Sequence, residues 1–385
     1  MQRLTVRPRP DADARLQGVA IDWADHGYWQ EQAAYAFTLA EIERIEAASQ
    51  TLVTHLLDTV GFAIEQRRLG DLGIPTFLHE TVRESWLRGD PDVYMRLDLA
   101  YDGHHLHLLE CNGQTPTSLI EASVAQWQWL EDQLALQHLE QGCDQWNGMH
   151  EQLLARWGEL SSGGVGTVHF AAGDNSEDLA TVTYLQDLAE QAGLRTRALS
   201  VSEIGQDHQR RHLIGTEGED IRHLMWLWPF EFAWEEAFAP ELSLTHTRFI
   251  EPLWKTVLCS KGILALLHER YPDCPEVLPA TLHVGTLGGE VVRKPLYSRE
   301  GQNVTIVGQD HDATGGQYGD LRMVEQQYSP LPQFVNAQGE PRFPVLGVWV
   351  AGRHVCGMGV REAARRITDD RASFVPHLIL PGGSA

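Results

Sequence analysis

The chain has 385 residues, long enough for two or three lobes around more than one core. Its 53 acidic and 30 basic side chains give a formal net charge of -23. That balance repels nucleic acid and anionic membranes; in the plainer reading it keeps the protein soluble, a cationic substrate such as a polyamine being the sharper option.

From the N-terminus, "MQRLTVRPRPDADARL" has no apolar signal core, and no later run reaches the roughly 18 apolar residues of a membrane span. Cys111, Cys143, Cys259, Cys274 and Cys356 are scattered without a CxxC pair, so neither a disulfide framework nor a zinc knuckle is expected. Both features fit a reducing cytoplasm. The segment "EIERIEAASQTLVTHLLDTVGFAIEQ" spaces Ile42, Ile45, Leu52, Leu56 and Val60 as a helix does, which predicts helices from about Tyr28 to Gln66.

Next, "MRLDLAYDGHHLHLLECNGQTPTSL", Met95 to Leu119, alternates like a half-buried hairpin but carries Arg96, Asp98, Glu110 and Asn112 at positions where apolar side chains could sit. A two-residue Asp102-Gly103 turn would send the two polar pairs to opposite faces. A three-residue loop, with Gly103 left-handed and Ala100 opposite His104, would gather all four on one face. Such a face suits hard cations with oxygen ligands, Mg²⁺ above all, and a phosphate gripped by Arg96. The competing reading is a solvated edge with incidental ion pairs. His104, His105 and His107 lack finger-spaced partners, so they do not predict zinc.

An apolar helix follows in "SLIEASVAQWQWLEDQLALQHLEQ", with Trp127 and Trp129 as core or lobe contacts. "SSGGV" at Ser161 to Val165 reads as a joint. Beyond it "GTVHFAAGDNSEDLATVTYLQDLAEQAGLRTRALS" reads as a βαβ unit, with Asn175 or Ser176 capping its helix. From Thr281 short strands dominate: "TLHV", "EVVRKPLY", "NVTIV", "RMVEQQY", and "VLGVWVAGRHVCGMGV" with Gly352 at its turn. The fold class is therefore α/β in the α+β sense. Residues 1–95 form an N-terminal helical segment, 96–160 the candidate metal hairpin and a helix, 161–250 a βαβ lobe, and 251–385 an antiparallel-sheet lobe.

A second polar cluster lies in "VVRKPLYSREGQNVTIV", where a strand delivers Lys294 and a glycine-containing loop runs from Ser298 to Asn303. A basic strand residue beside a flexible loop can hold phosphates, though no GxxxxGK occurs. Lys255 and Lys261 lie upstream in "EPLWKTVLCSKG", and Arg361 downstream after two glycines. No GxSxG, HExxH or dinucleotide fingerprint is present.

Four blocks, "RLDLAYDGHHLHLLECNGQTPTSLIEASVAQWQWLED", "EPLWKTVLCSKGILALL", "VRKPLYSREGQNVTIV" and "MGVREAARRITDDRASFVPHLI", resemble the synthetase domain of glutathionylspermidine synthase, and more closely its stand-alone bacterial acid-amine ligase relatives. The resemblance runs in register from about Tyr28 to Ile379. It implies an ATP-grasp fold and an ATP- and Mg²⁺-dependent carbon-nitrogen ligase, in which a carboxylate is activated as an acyl phosphate and an amine attacks it.

By motif position, Asp98 and Glu110 would bind one Mg²⁺ and Glu110 with Asn112 a second, while Arg96 would meet the transferring phosphoryl group. Lys261 and Lys294 match lysines that hold nucleotide phosphates; Lys255 has no counterpart and reads as structural. Arg299 and Arg361 match arginines facing the reacting phosphate and carboxylate. Val324, Glu325, Gln326, Gln327 and Tyr328 match the strand bordering adenine, and Ile367 closes that pocket. Thr115 and Thr117 fall where the synthase has glutathione-binding serines, and Glu231 where it has an acid near the amine. No amidase domain is expected, and the stretch between "WPFEF" and "EPLW" is shorter than in the synthase. The alternatives are a catalytically silent nucleotide- or peptide-binding protein and an ATP-grasp kinase.

Overall fold

The computed structural model describes residues 1–21, 27–309, 311–319 and 322–382. Alternation along the strand Tyr94–Tyr101 organises it. Met95, Leu97, Leu99 and Tyr101 pack with Ile45, Leu52 and Leu56 of the helix Leu39–Glu65 and with Leu264 and Leu267 of the helix Ile263–Arg270. Tyr94 faces the other way, into a cluster with Trp129, Trp157, Phe170, Leu185 and Trp349. The sheet is thus covered on both faces, and Arg96 and Asp98 continue the second one.

That sheet has six strands. Its antiparallel order is Ser373–Val375, His354–Ala363, Pro341–Ala351, Tyr94–Tyr101, Leu106–Asn112, with Phe334–Val335 pairing beside Pro341. The hairpin assigned by sequence to a segment of its own therefore belongs to the same sheet as the C-terminal strands. Arg96 lies opposite Trp349 and Asp98 opposite Gly347.

The N-terminal segment is not purely helical. Ala33–Phe37 is a buried strand between Gln2–Thr5 and His377–Ile379, and the long helix starts only at Leu39. An apolar run this short has no period to separate strand from helix. The informative signal is Thr38 with Glu41, a capping box in which the Thr38 hydroxyl accepts from the Glu41 N–H and the Glu41 carboxylate accepts from the Thr38 N–H.

The βαβ unit forms as the sequence suggests, with strands Thr167–Ala172 and Arg195–Ser200 around the helix Ser176–Gln191, whose first turn Asn175 caps. His223–Leu227 and Arg248–Ile250 extend it to a four-stranded parallel sheet. A fourth sheet is antiparallel in the order Ala280–Thr281, Met323–Gln327, Val291–Pro295, Thr305–Val307, Asp312–Ala313. Thr281 pairs with Glu325, not in a hairpin with Val291–Pro295. The buried Glu325 carboxylate draws the intervening loop down, accepting from the Gly285 and Leu287 N–H groups and from Arg293. Among the described residues no helix is long and apolar enough to cross a membrane.

A buried ionic brace fixes the start of the central strand. The Lys255 ammonium, wholly buried, lies 2.5 Å from Glu251 and 3.4 Å from Asp92, and donates to the Tyr94 carbonyl at 2.7 Å. Glu251 in turn accepts from the Val93 and Tyr94 N–H groups at 3.0 and 2.9 Å. Each charge is desolvated and tolerable only with the other present. Lys255→Met should therefore cost about 3–5 kcal/mol by urea unfolding, and adding Glu251→Gln should recover part of that loss, because no orphaned charge then remains.

Candidate functional site

The hairpin gathers its polar side chains on one face, by a route that neither turn anticipated. Residues Asp102 to His105 form the loop, closed by an Asp102 N–H donation to the His105 carbonyl and by Asp102 Oδ1 accepting from the His104 and His105 N–H groups. Gly103 is left-handed as expected, at φ 99°. Ala100, however, lies opposite His107 and Leu99 opposite Leu108. Continued unbroken, that register would set Asp98 against Leu109 and send Glu110 and Asn112 into the apolar core. A β-bulge intervenes, the register shifting so that Asp98 opposes Glu110 and Arg96 opposes Asn112.

The backbone groups released by the bulge are taken up by other elements. The Leu109 carbonyl accepts from Lys294 Nζ at 2.8 Å, and the Leu108 carbonyl from Gln326 Nε2 at 2.9 Å. The Leu108 N–H donates to the Glu276 carbonyl. Gln326 Oε1 also accepts from Lys294 Nζ at 2.8 Å. The sheet bearing Lys294 is thereby fastened to the sheet bearing the acids at the irregularity itself.

These two sheets and the βαβ lobe enclose a cavity of about 740 Å³. Arg96, Asp98, Glu110, Asn112, Thr115, Thr117, Glu231, Lys261, Lys294, Arg299, Gln326, Gln327, Tyr328, Arg361 and Ile367 all line it. Val324 and Glu325 do not. Val324 packs inward against Leu296 and Tyr297, while Glu325 anchors the 285–287 backbone.

Inside the cavity the charges interlock. Arg96 Nε and Nη2 donate to the two Asp98 oxygens at 2.6 and 3.0 Å, and its Nη1 donates to the Thr117 carbonyl at 2.6 Å. Lys261 Nζ lies 3.2 Å from Glu110 and donates to the Ser298 carbonyl at 2.7 Å. Arg299 bridges Glu231 at 2.7 Å and the Thr115 hydroxyl at 3.1 Å. Burial alone would push the Glu110 carboxyl up, but the Lys261 and Lys294 ammonium groups outweigh it and hold it well below the ordinary carboxylate range. Burial dominates at Lys294 and brings its ammonium down to about 8, against the pull of Glu110.

Three buried polar atoms at this centre, Asn112 Nδ2, Ser298 Oγ and Arg299 Nε, have no hydrogen-bond partner among the described residues. Groups so placed suit an incoming anion with several acceptor oxygens. Among the described residues no three His, Cys, Asp or Glu side chains cluster as a metal cage. The oxygen donors here are two carboxylates and one amide, fewer than a divalent cation uses, which fits an ion shared with phosphate oxygens and water.

At one end Val292, Val304, Ile306 and Ile367 form a small apolar cluster against Tyr328. The loop beside it turns through Glu300, Gly301 and Asn303, all at positive φ, and a Cβ on Gly301 would lie 2.3 Å from the Thr368 carbonyl. Elsewhere Glu177 lines the cavity, with Glu121 behind it. Burial first, then the charges of Glu121 and Asp178, lift the Glu177 carboxyl to about 7. Glu121 is also raised by burial and accepts from the Tyr28 hydroxyl at 2.5 Å.

Sequence reasoning missed several participants. Gln114, nearly inaccessible, ties the threonine loop to the Glu231 segment by donating to the Trp228 carbonyl and accepting from the Phe230 N–H. Glu177 lay in view as a carboxylate in a helix's first turn, but only the tertiary fold brings it to the cavity. The same holds for the neighbours of Ile367, Arg366 and residues 368–372, which line the cavity from beyond Arg361.

A family model described as "Glutathionylspermidine synthase preATP-grasp" matches residues 3–380. A Haemophilus influenzae protein named "Putative acid--amine ligase" is 36% identical, with 99% of this chain and 100% of that one covered. A trypanothione synthetase of Crithidia fasciculata is 25% identical over 92% of this chain, which spans 56% of that protein. Among solved structures, a glutathione synthetase-like effector from Globodera pallida overlays 97% of this chain and all of its own, with a TM-score of 0.54 at 11% identity, a likeness of fold alone.

Because Gln326 joins the bulge to Lys294, Gln326→Leu should strand the buried Leu108 carbonyl and remove one Lys294 partner, destabilising the chain by about 1–3 kcal/mol. Amide exchange measured alongside urea unfolding should speed most at Leu108 to Glu110. Unchanged protection there would show that the bulge holds without the clamp.

Proposed function

This chain belongs to the glutathionylspermidine synthase family, and from that premise we propose that it is an ATP-dependent, Mg²⁺-requiring ligase that joins a small acid or peptide carboxylate to an amine. The observation that carries the reading is the bulged hairpin, which turns Asp98, Glu110 and Asn112 toward Lys261 and Lys294 on one face. Phosphoryl transfer asks mainly for positioning and charge neutralisation, and this is the chemistry the cavity concentrates.

In this reading the apolar cluster of Val292, Val304, Ile306 and Ile367 receives the purine, with Tyr328 at its edge. Lys261 and Lys294 hold the phosphates. Bound between Asp98, Glu110 and Asn112, one or two Mg²⁺ ions would withdraw charge from the terminal phosphate oxygens. Arg96, and Arg299 and Arg361 beyond it, stabilise the negative charge that spreads over the phosphoryl group as a substrate carboxylate oxygen attacks phosphorus and ADP departs. The amine nitrogen then attacks the acyl carbon, phosphate leaves, and the nitrogen gives up a proton.

Thr115, Thr117 and Arg299 offer hydroxyl and guanidinium donors to the acid substrate. Glu231 supplies a carboxylate for the amine, and Glu177, its carboxyl lifted to about 7, joins it as pH rises through that value, which suits a polyamine. Glutathione with spermidine is the pair to test first, given the names of the relatives. The intact set of metal-side, lysine and arginine groups disfavours a silent binding protein.

With Mg²⁺, glutathione and spermidine, ADP release should accompany an amide product of matching mass, and Glu110→Ala should lower the rate at least about 100-fold. A stable phosphorylated acid in place of the amide would convert the assignment to a kinase. Full activity in Glu110→Ala would remove the metal assignment.

Lys294 gives a pH dependence. Phosphates bind its protonated form and raise its pKa, so above the free value of about 8 the protein must take up a proton on binding. Affinity for Mg²⁺ with β,γ-imido-ATP should fall as pH climbs through 8. Calorimetry in buffers of different ionisation enthalpy should show proton uptake rising toward one, and no uptake at pH 9 would contradict the phosphate role.

A further inference from the structure

Gly347 stands in the middle of the strand Pro341–Ala351, opposite Asp98 and between the buried Leu346 and Val348. Its backbone does not require glycine, since its φ is not among the positive values of the chain. In a buried strand interior glycine is less favourable than alanine, so something must favour the missing side chain. The three nearest heavy atoms that a Cβ would meet all belong to Arg96: Cδ at 2.9 Å, Nε at 3.3 Å and Cγ at 3.5 Å.

Arg96 has little freedom to yield. Its stem crosses the sheet surface over Gly347, and its guanidinium is held by both Asp98 oxygens and the Thr117 carbonyl, 5.7 Å over the Trp349 ring. Only 5% of the residue is exposed. Ordinary carbon contacts lie at about 3.5–4.0 Å, so a methyl group at 347 would force the stem aside by roughly 0.6–1 Å. A misplacement of that size at a charge-stabilising group can cost up to about 100-fold in rate.

We propose that Gly347 is the positioning residue for Arg96: its missing side chain leaves the groove along which the arginine reaches the terminal phosphate, so the strand trades stability for placement. This rests on the ligase reading for the contact between Arg96 and phosphate. The groove itself is a property of the sheet.

The test compares the full chain with Gly347→Ala, Arg96→Ala and the double variant, measuring affinity for β,γ-imido-ATP and for ADP, each with Mg²⁺, together with thermal unfolding. Gly347→Ala should stay folded at the assay temperature and keep its ADP affinity, yet lose about 10-fold of its preference for the triphosphate. Arg96→Ala should show the same loss, and the double variant should lose no more than Arg96→Ala alone. Wild-type preference retained in Gly347→Ala, losses that multiply in the double variant, or an ADP affinity that falls in step would each overturn the assignment. A wild-type chain that binds neither nucleotide would overturn the ligase reading and, with it, this role of Arg96.

Discussion

Side-chain parity along one pair of strands governs the chemistry of this chain. In a β-strand consecutive residues face opposite ways, so an error of one residue in pairing exchanges the two faces completely. The single shift at Leu109 decides whether Glu110 and Asn112 join Asp98 in the cavity or enter the core beside Leu97. Buried there without partners, a carboxylate would cost several kcal/mol. The irregularity is held at its released backbone groups by Lys294 and Gln326 from a different sheet and by the Glu276 carbonyl from the turn before that sheet. The candidate metal face and the candidate phosphate lysine therefore depend on one another for their geometry.

The same interdependence appears in the charges. Arg96 sits on Asp98 and Lys261 on Glu110, so no carboxylate at the centre carries its charge alone. Neutralisation of this kind lets two acids and two lysines share a half-buried space without expelling each other's charge. It also means that an arriving nucleotide and cation would exchange partners with groups already paired, rather than meet bare charges. The brace of Lys255, Glu251 and Asp92 serves the fold instead, pinning the strand just before Arg96.

The fold was legible where local signals are strong. The βαβ unit announced itself through an apolar strand, an Asn175 cap and a second strand, and the C-terminal strands through their turns and alternation. The hairpin's existence was legible as well, but its register was not. Both turns considered for Asp102 and Gly103 were shorter than the loop that forms, and a bulge leaves no mark in a single strand's composition, because its cause lies in Lys294 and Gln326 far along the chain. Ala33–Phe37 was misread as helix for lack of length. Lys255 was read as structural, and its complete burial among two carboxylates gives the physical reason. Gln114, Glu177, Arg366 and residues 368–372 reach the cavity only through tertiary packing, which no spacing within the sequence encodes.

Net charge and local charge point in different directions here, and the difference matters to function. A balance of -23 repels extended polyanions approaching the surface. Inside the cavity, however, Arg96, Lys261, Lys294, Arg299 and Arg361 converge within walls of low polarisability, where a charge acts more strongly than it does at the surface. A compact triphosphate that enters this space meets the cations of the cavity before the acidity of the whole. Glu177 lines the same space, and its carboxyl, lifted by burial to about 7, gains its charge only as pH rises through that value. In the proposed reading the apolar cluster takes the purine and the cations take the phosphate chain, which leaves Glu231 and Glu177 to the amine. Such an arrangement would set the proposed phosphorylated carboxylate between the nucleotide that made it and the amine that consumes it.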